Sequence, residues 1–321
     1  MLSARFLVSS QFMRGDDFRA AYRTTHEKGL FPDIIGRASA LLEKCTVCPR
    51  RCGVDRTKGE KGFCRSGHLP EVSSWGPHFG EELPLVGRHG SGTIFMTWCN
   101  LGCIFCQNES ISRWGEGSCI SFDDLSRVMV QLQRRGCHNI NFVSPSHFVP
   151  QILKALPRAI ESGLSVPLVY NTGGYDAVET LRLLDGVFDI YMPDFKYTSA
   201  PVAETYSGAP DYPEVVTAAL KEMYRQVGDL EMDKGGVALR GLLVRHLVLP
   251  GGLAGTREAM RFLARNISRN TYVNIMDQYH PCGDLIPPGS PLNRRITRDE
   301  FREAILAARE EGITRLDRNF F

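Results

Sequence analysis

The sequence predicts an α/β protein: an open, partial (β/α)6 barrel of TIM-like design with an N-terminal cysteine-rich appendage. Three observations lead there. From about residue 91, short β-rich runs alternate with helical patterns, the signature of repeated βα units around a parallel sheet. A chain of 321 residues with 43% hydrophobic content can bury one large core. Seven of the ten cysteines fall in two tight clusters, one ahead of the alternating region and one directly after its first β run. The predicted organisation is a segment 1–90, comprising a helical stretch, a cysteine-rich knot and a linker, followed by a barrel over 91–321.

The appendage opens with a helical stretch and a helix through Ile35, Leu41 and Leu42. A knot rich in Cys, Gly and charge follows from Cys45 to Gly67. Pro70, Gly76, Pro77, Gly80, Pro84 and Gly87 then read as a linker. Six strands are expected beyond it: Thr93–Met96, Asn139–Val143, Pro167–Tyr170, Phe188–Met192, Leu242–Leu249 and Tyr272–Met276. Between the first two lies a helix with Ser121 placed to cap it and Asp123 and Asp124 at its positive end. Leu125, Val128, Met129 and Leu132 fall at i, i+3, i+4 and i+7 before Gly136. The last helix starts with Thr297 and Glu300 in capping-box spacing and runs through Phe301, Ile305 and Leu306 to Gly312. A short run, Ile313–Leu316, follows it. Six βα units leave the barrel open, with its functional face at the carboxyl ends of the strands.

Composition excludes several function classes. The net charge is +2, with Lys and Arg spread along the chain, so there is no electrostatic footprint for nucleic acid or an acidic membrane surface. No apolar run approaches the ~20 residues that span a bilayer. Clustered cysteines speak for metal ligation in a reducing compartment, and the expected location is cytoplasmic. The leading MLSARFLVSSQFMR has Arg5, Arg14 and no acid before Asp16. That composition suits an organellar targeting peptide, but an ordinary N-terminal helix is the favoured reading.

Cys99-Asn-Leu-Gly-Cys103-Ile-Phe-Cys106 places three thiols within eight positions after the first strand, where one loop can converge on a single 4Fe-4S cubane. Three thiolates for four irons leave one iron open. An amine and a carboxylate can bind there, and S-adenosyl-L-methionine (SAM) offers both. A zinc site lacking its fourth ligand is the competing reading. A second set, Cys45, Cys48, Cys52 and Cys64, has four ligands and would close a structural zinc site or a second Fe-S cluster. Gly53, Gly59 and Gly62 permit tight turns there, and Arg50, Arg51, Arg56, Lys58 and Lys61 offset thiolate charge. Cys119, Cys137 and Cys282 read by default as small buried hydrophobes.

The C-x3-C-x2-C spacing, with Phe105 before the last cysteine, resembles the defining motif of the radical SAM superfamily. From Cys45 onward the chain is similar to pyruvate formate-lyase activating enzymes, and within them to the PflX-type group. Asp194-Phe-Lys196 matches the Asp-x-Lys after the fourth strand of such activases. Arg245-His-Leu-Val-Leu-Pro250-Gly251 and His280 match their next two strand ends. The resemblance implies Lys196, Arg245 and His280 lining a SAM pocket, with Asp194 beside them. Asn171, in the turn Asn171-Thr-Gly-Gly174, is a further polar candidate near the ribose or carboxylate. The family's Gly-Gly-Glu segment is replaced by Val143-Ser-Pro-Ser-His147, where Ser144, Ser146 or His147 are the candidates for holding the methionine amine. The expected function is reductive cleavage of SAM to a 5′-deoxyadenosyl radical that abstracts hydrogen, by resemblance from a backbone glycine of a partner enzyme. Modification of a peptide, nucleoside or metabolite by the same chemistry is the alternative, and a non-catalytic iron-sulfur or zinc protein is the third reading. An electron donor such as flavodoxin or ferredoxin, and a protein substrate, are the expected partners.

Overall fold

A computed structural model describes residues 18–317 of the chain, so the leading segment with Arg5 and Arg14 lies outside the described residues. The strands are β1 Glu71–His78, β2 Ser91–Met96, β3 Ser118–Cys119, β4 Ile140–Val143, β5 Leu168–Thr172, β6 Ile190–Pro193, β7 Glu231–Met232, β8 Ala238–Leu247 and β9 Tyr272–Met276. The six parallel strands run in the order β2-β4-β5-β6-β8-β9, and helices follow them as the βα pattern requires. This is the partial barrel expected, an open α/β sheet rather than a closed one. The run after the last helix contributes a single parallel bridge, Leu316 to Val273, in place of a strand.

Alternation along each strand divides the interior into two apolar layers. Ile140, Phe142, Leu168, Tyr170, Tyr191, Leu242, Val244, Val273 and Ile275 face the helices. Val169, Ile190, Met192, Leu243 and Tyr272 face the other way, into the barrel lumen, where Leu85 plugs them from below. The helix Phe122–Arg134 forms as predicted. Ser121 Oγ accepts from the Asp124 amide at 3.0 Å while the Asp124 carboxylate accepts from the Ser121 amide, a complete capping box. Thr297 and Glu300 do the same for Arg298–Glu310. That last helix buries Ala304, Ala307 and Ala308, whereas Leu306 is 47% exposed. Its inward stripe is built from small residues that let it sit close to the helix Thr256–Phe262.

Two expectations are corrected. Residues 71–78, read as linker, form β1, antiparallel to β2 and in register from Val72 opposite Met96 to His78 opposite Ser91. Gly76 and Pro77 hid the strand signal. Pro77 is tolerated because β3 covers only Glu71 and Val72, leaving the outer side of β1 unpaired from there on. Cys119, read as buried, lies exposed in β3. The helix Ala21–Glu27 lies at the opposite end of the barrel from the strand carboxyl ends, and Phe31–Ala40 packs along the helix Val149–Glu161. The Ala21 amide donates to Asp189 Oδ1 (2.8 Å), Tyr22 Oη to the Val166 carbonyl (2.9 Å) and Thr25 Oγ1 to the Gly186 carbonyl (2.6 Å).

Candidate cofactor site at the carboxyl ends of the strands

The chain leaves β2 through Trp98, which adopts a left-handed φ of 67° and donates its indole N–H to Glu71 Oε2 (2.8 Å). Cys99, Cys103 and Cys106 follow on the loop before the helix Glu109–Ser112. Gly102 has φ 73°, and a Cβ there would come within 2.9 Å of the Phe63 ring, so the tight turn between the first two cysteines needs glycine. Each sulfur has a donor within reach: the Leu101 amide reaches Cys99 Sγ (3.4 Å), Ser207 Oγ reaches Cys103 Sγ (3.1 Å) and Ser112 Oγ reaches Cys106 Sγ (3.3 Å). Burial and then the neighbouring Cys103 push the Cys99 thiol up to about 11. Three mutually coupled thiols, each with a donor in place to stabilise its thiolate, fit the ligand set of a cubane.

Arg50 holds this loop from outside. Its guanidinium donates to the carbonyls of Asn100 (3.0 Å), Leu101 (2.8 Å) and Ser207 (2.9 Å) and stacks 3.9 Å from the centroid of Phe63. The knot that carries Arg50 also carries Cys45, Cys48, Cys52 and Cys64. Burial and then Cys64, with Cys45 and Cys52 contributing, push the Cys48 thiol up to about 12, so the four thiols share one neighbourhood. Among the described residues, no three His, Cys, Asp or Glu side chains stand closed around a point for a single ion. The Fe-S or zinc assignment of this knot therefore rests on spacing and shared neighbourhood.

Beside the triplet loop lies a buried polar network from three strands, β5, β6 and β8. Arg245, near the carboxyl end of β8, donates Nε–H to Asp194 Oδ1 (2.7 Å) and Nη2–H to Asn171 Oδ1 (2.8 Å). Lys196 Nζ donates to Asp194 Oδ2. Burial alone would raise the Asp194 carboxyl, but Arg245 and Lys196 outweigh it and hold the group below the usual carboxylate range. Burial likewise works against the Lys196 charge, and Asp194 and Cys103 together outweigh it, raising Lys196 above its ordinary value. Lys196 therefore faces both the network and the cysteine loop. The Asn171–Gly174 turn is pinned here: Gly174 has φ 79°, and a Cβ on it would lie 2.2 Å from the Asp194 carbonyl.

The other predicted residues divide. His280 stands next to the triplet loop, its Nδ1 3.1 Å from Gln107 Nε2, and its hydrogen-bond partners are Gln107 and Gln278 rather than the Asp194–Arg245 network. Ser146 and His147 turn inward: Ser146 Oγ pairs with Thr172 Oγ1 (3.0 Å), and buried His147 donates Nε2–H to the Thr97 carbonyl (2.9 Å), with burial lowering its pKa to about 3. Of the three candidates in that segment only Ser144 stays partly exposed, at φ 57° after β4. Cys282 reaches the site from the far loop, donating S–H to the Phe105 carbonyl (3.1 Å). Sequence reasoning missed Glu82, which accepts from Asn274 Nδ2 (3.0 Å) and approaches Arg245 to 4.0 Å. It also missed Asn141. The signal was present, since Asn141 and Asn274 interrupt apolar strands just as Arg245 does.

The Radical SAM superfamily sequence model matches residues 93–227, from β2 through the helix Tyr212–Val227. An uncharacterized protein of Methanocaldococcus jannaschii, MJ0674, is 31% identical over 284 residues, 86% of this chain and 77% of that protein. The chain belongs to the radical SAM superfamily. Members of this superfamily use a 4Fe-4S cluster with SAM. This radical SAM chain is also similar to the structure of the radical S-adenosylmethionine methyltransferase TsrM from Kitasatospora setae, solved with cobalamin and a [4Fe-4S] cluster bound. There the TM-score is 0.40 and the identity 15%, over 59% of this chain and 36% of the methyltransferase.

Proposed function

We propose that this radical SAM protein is an enzyme that cleaves SAM reductively and uses the resulting 5′-deoxyadenosyl radical for hydrogen abstraction. When bound, the cluster and SAM supply one electron to a sulfonium C–S bond. Cys99, Cys103 and Cys106 are the proposed iron ligands, and Asn171, Asp194, Lys196 and Arg245 are proposed to hold the SAM carboxylate and ribose, with His280 at the rim. One observation carries the reading: Lys196 bonds to Asp194, feels the charge of Cys103 and flanks Gly173 together with Leu101 of the triplet loop, so a molecule chelating an open iron at the triplet would lie near the charged network. The network is preorganised by Arg245, whose guanidinium already bridges two strand ends, so little reorganisation is needed on binding.

The finer reading, activation of a partner enzyme by abstraction from a backbone glycine, draws support from the motifs shared with pyruvate formate-lyase activating enzymes and the PflX-type group. A flavodoxin or ferredoxin is the proposed reductant. The four-cysteine knot is proposed to hold a structural zinc or a second Fe-S cluster that stiffens the lid over the triplet loop through Arg50. Among the described residues no helix is long and apolar enough to cross a membrane.

The test is anaerobic reconstitution with iron and sulfide, followed by dithionite and SAM, with 5′-deoxyadenosine followed by chromatography. The parent chain is expected to form it and Cys103→Ala to form none. A fully reconstituted parent that forms none would overturn the proposal.

A further inference from the structure

The lumen carries polar atoms that the cofactor reading leaves unused. Asn141 is fully buried, Glu82 is 3% exposed and Asn274 is 6% exposed. Among the described residues, Asn141 Oδ1 and Nδ2, Glu82 Oε2 and Asn274 Oδ1 have no hydrogen-bond partner. All three residues face the lumen. Asn141 alternates with Ile140 and Phe142, and Asn274 with Val273 and Ile275, all four of which pack toward the helices. Glu82 rises from the segment whose Leu85 plugs the lumen, and that plug is tied to β4 one layer below Asn141, where Asn139 Nδ2 donates to the Leu85 carbonyl (2.9 Å). Above this layer, Phe95, Val143 and Arg245 are partly exposed at the open mouth.

An unpaired buried polar atom loses its hydrogen bonds to water without replacement, and apolar residues would fill these strand positions without that cost. The imbalance among the atoms indicates what they await. Three are acceptors and one is a donor, so a carboxylate or phosphate would set acceptor against acceptor. The nearby cations are already committed, Arg245 to Asp194 and Asn171, and Lys196 to Asp194. Three carboxyl groups, Glu81, Glu82 and Asp194, stand around Arg245 and Lys196; burial raises the Glu82 carboxyl while Arg245 lowers it, and a cation received beside it would favour its ionised form.

We infer that the lumen floor is a substrate subsite for a donor-rich nitrogen group, an ammonium or amidinium, received by Glu82 Oε2, Asn141 Oδ1 and Asn274 Oδ1. This deepens the proposed function and rests on it for the ligand's being a substrate. Binding itself can be tested apart from turnover, using methylammonium as the probe and tetramethylammonium, which has no N–H, as its control at equal ionic strength. Thermal unfolding of the full reconstituted chain is followed against probe concentration. Methylammonium is expected to raise the midpoint saturably and tetramethylammonium not to, with Glu82→Gln weakening the half-saturating concentration by about tenfold. Asn141→Leu serves the same purpose should Glu82→Gln fold poorly. An identical response to both ions, or an undiminished methylammonium response in either folded variant, would overturn the inference. Deoxyadenosine assayed on the same parent samples separates the two ideas: its absence beside a selective methylammonium response removes the radical reading and leaves the nitrogen subsite.

Discussion

Arg245 sits inside an otherwise apolar strand, and the partner that such a position demands is Asp194, 2.7 Å away and shared with Lys196. Removing the carboxylate charge strands two buried cations, so Asp194→Asn is expected to lower stability by about 3–5 kcal/mol in urea unfolding. A loss under about 1 kcal/mol would mean that water already reaches the pair. The need for such a partner was legible from sequence, because a charge within a buried strand is costly alone. Its identity was not legible, since residues 51 positions apart meet through strand order alone; the motif shared with activating enzymes named Asp194 only as a site candidate beside Lys196. Ser146 and His147 mark the limit of that reasoning. Their side chains were candidates for a ligand amine, yet the turn after β4 rotates both into the core, where Thr172 and the Thr97 carbonyl take them.

At the scale of elements, the capping boxes of the helices Phe122–Arg134 and Arg298–Glu310 were legible because they need only local spacing. Ser121→Ala is expected to cost about 1 kcal/mol, measured as a shift in urea midpoint at unchanged slope. Asp189 shows the opposite case, a side chain whose role no local pattern announces. Its carboxyl accepts the Ala21 and Leu168 amides, joining the N-terminal helix to the strands, and burial pushes its pKa up to about 7. A carboxyl raised above its unfolded value of about 3.9 contributes most below that value, and the contribution fades as pH rises toward 7. From pH 4 to pH 7 the parent should therefore lose about 3 kcal/mol relative to Asp189→Asn. A pH-independent difference between the two would show that Asp189 is charged throughout. The strand Glu71–His78 escaped sequence reading for a related reason: Gly76 and Pro77 signal a break, and only the uncovered outer edge of the sheet makes them tolerable.

At the scale of the whole molecule, the cysteine knot and the barrel are joined through Arg50, which bonds to carbonyls of both the triplet loop and the Ala200–Ser207 helix end. Arg50→Ala is expected to speed proteolytic cleavage within residues 45–68 several-fold while leaving global urea stability nearly unchanged, because that opening is local. Equal loss of global stability would instead make the knot part of the main folding unit. By itself the sequence determined the βα order, the two cysteine sets and the end of the barrel where chemistry belongs, since alternation, helical period and ligand spacing are properties of neighbouring residues. Only the tertiary structure decided which polar side chains share a space. Strand order brings Asn171, Asp194 and Arg245 together beside Cys103, and barrel curvature turns Asn141, Asn274 and the plug residue Glu82 into one lumen. Those contacts span up to 192 positions and obey no local period, so they exist only once the sheet has curled.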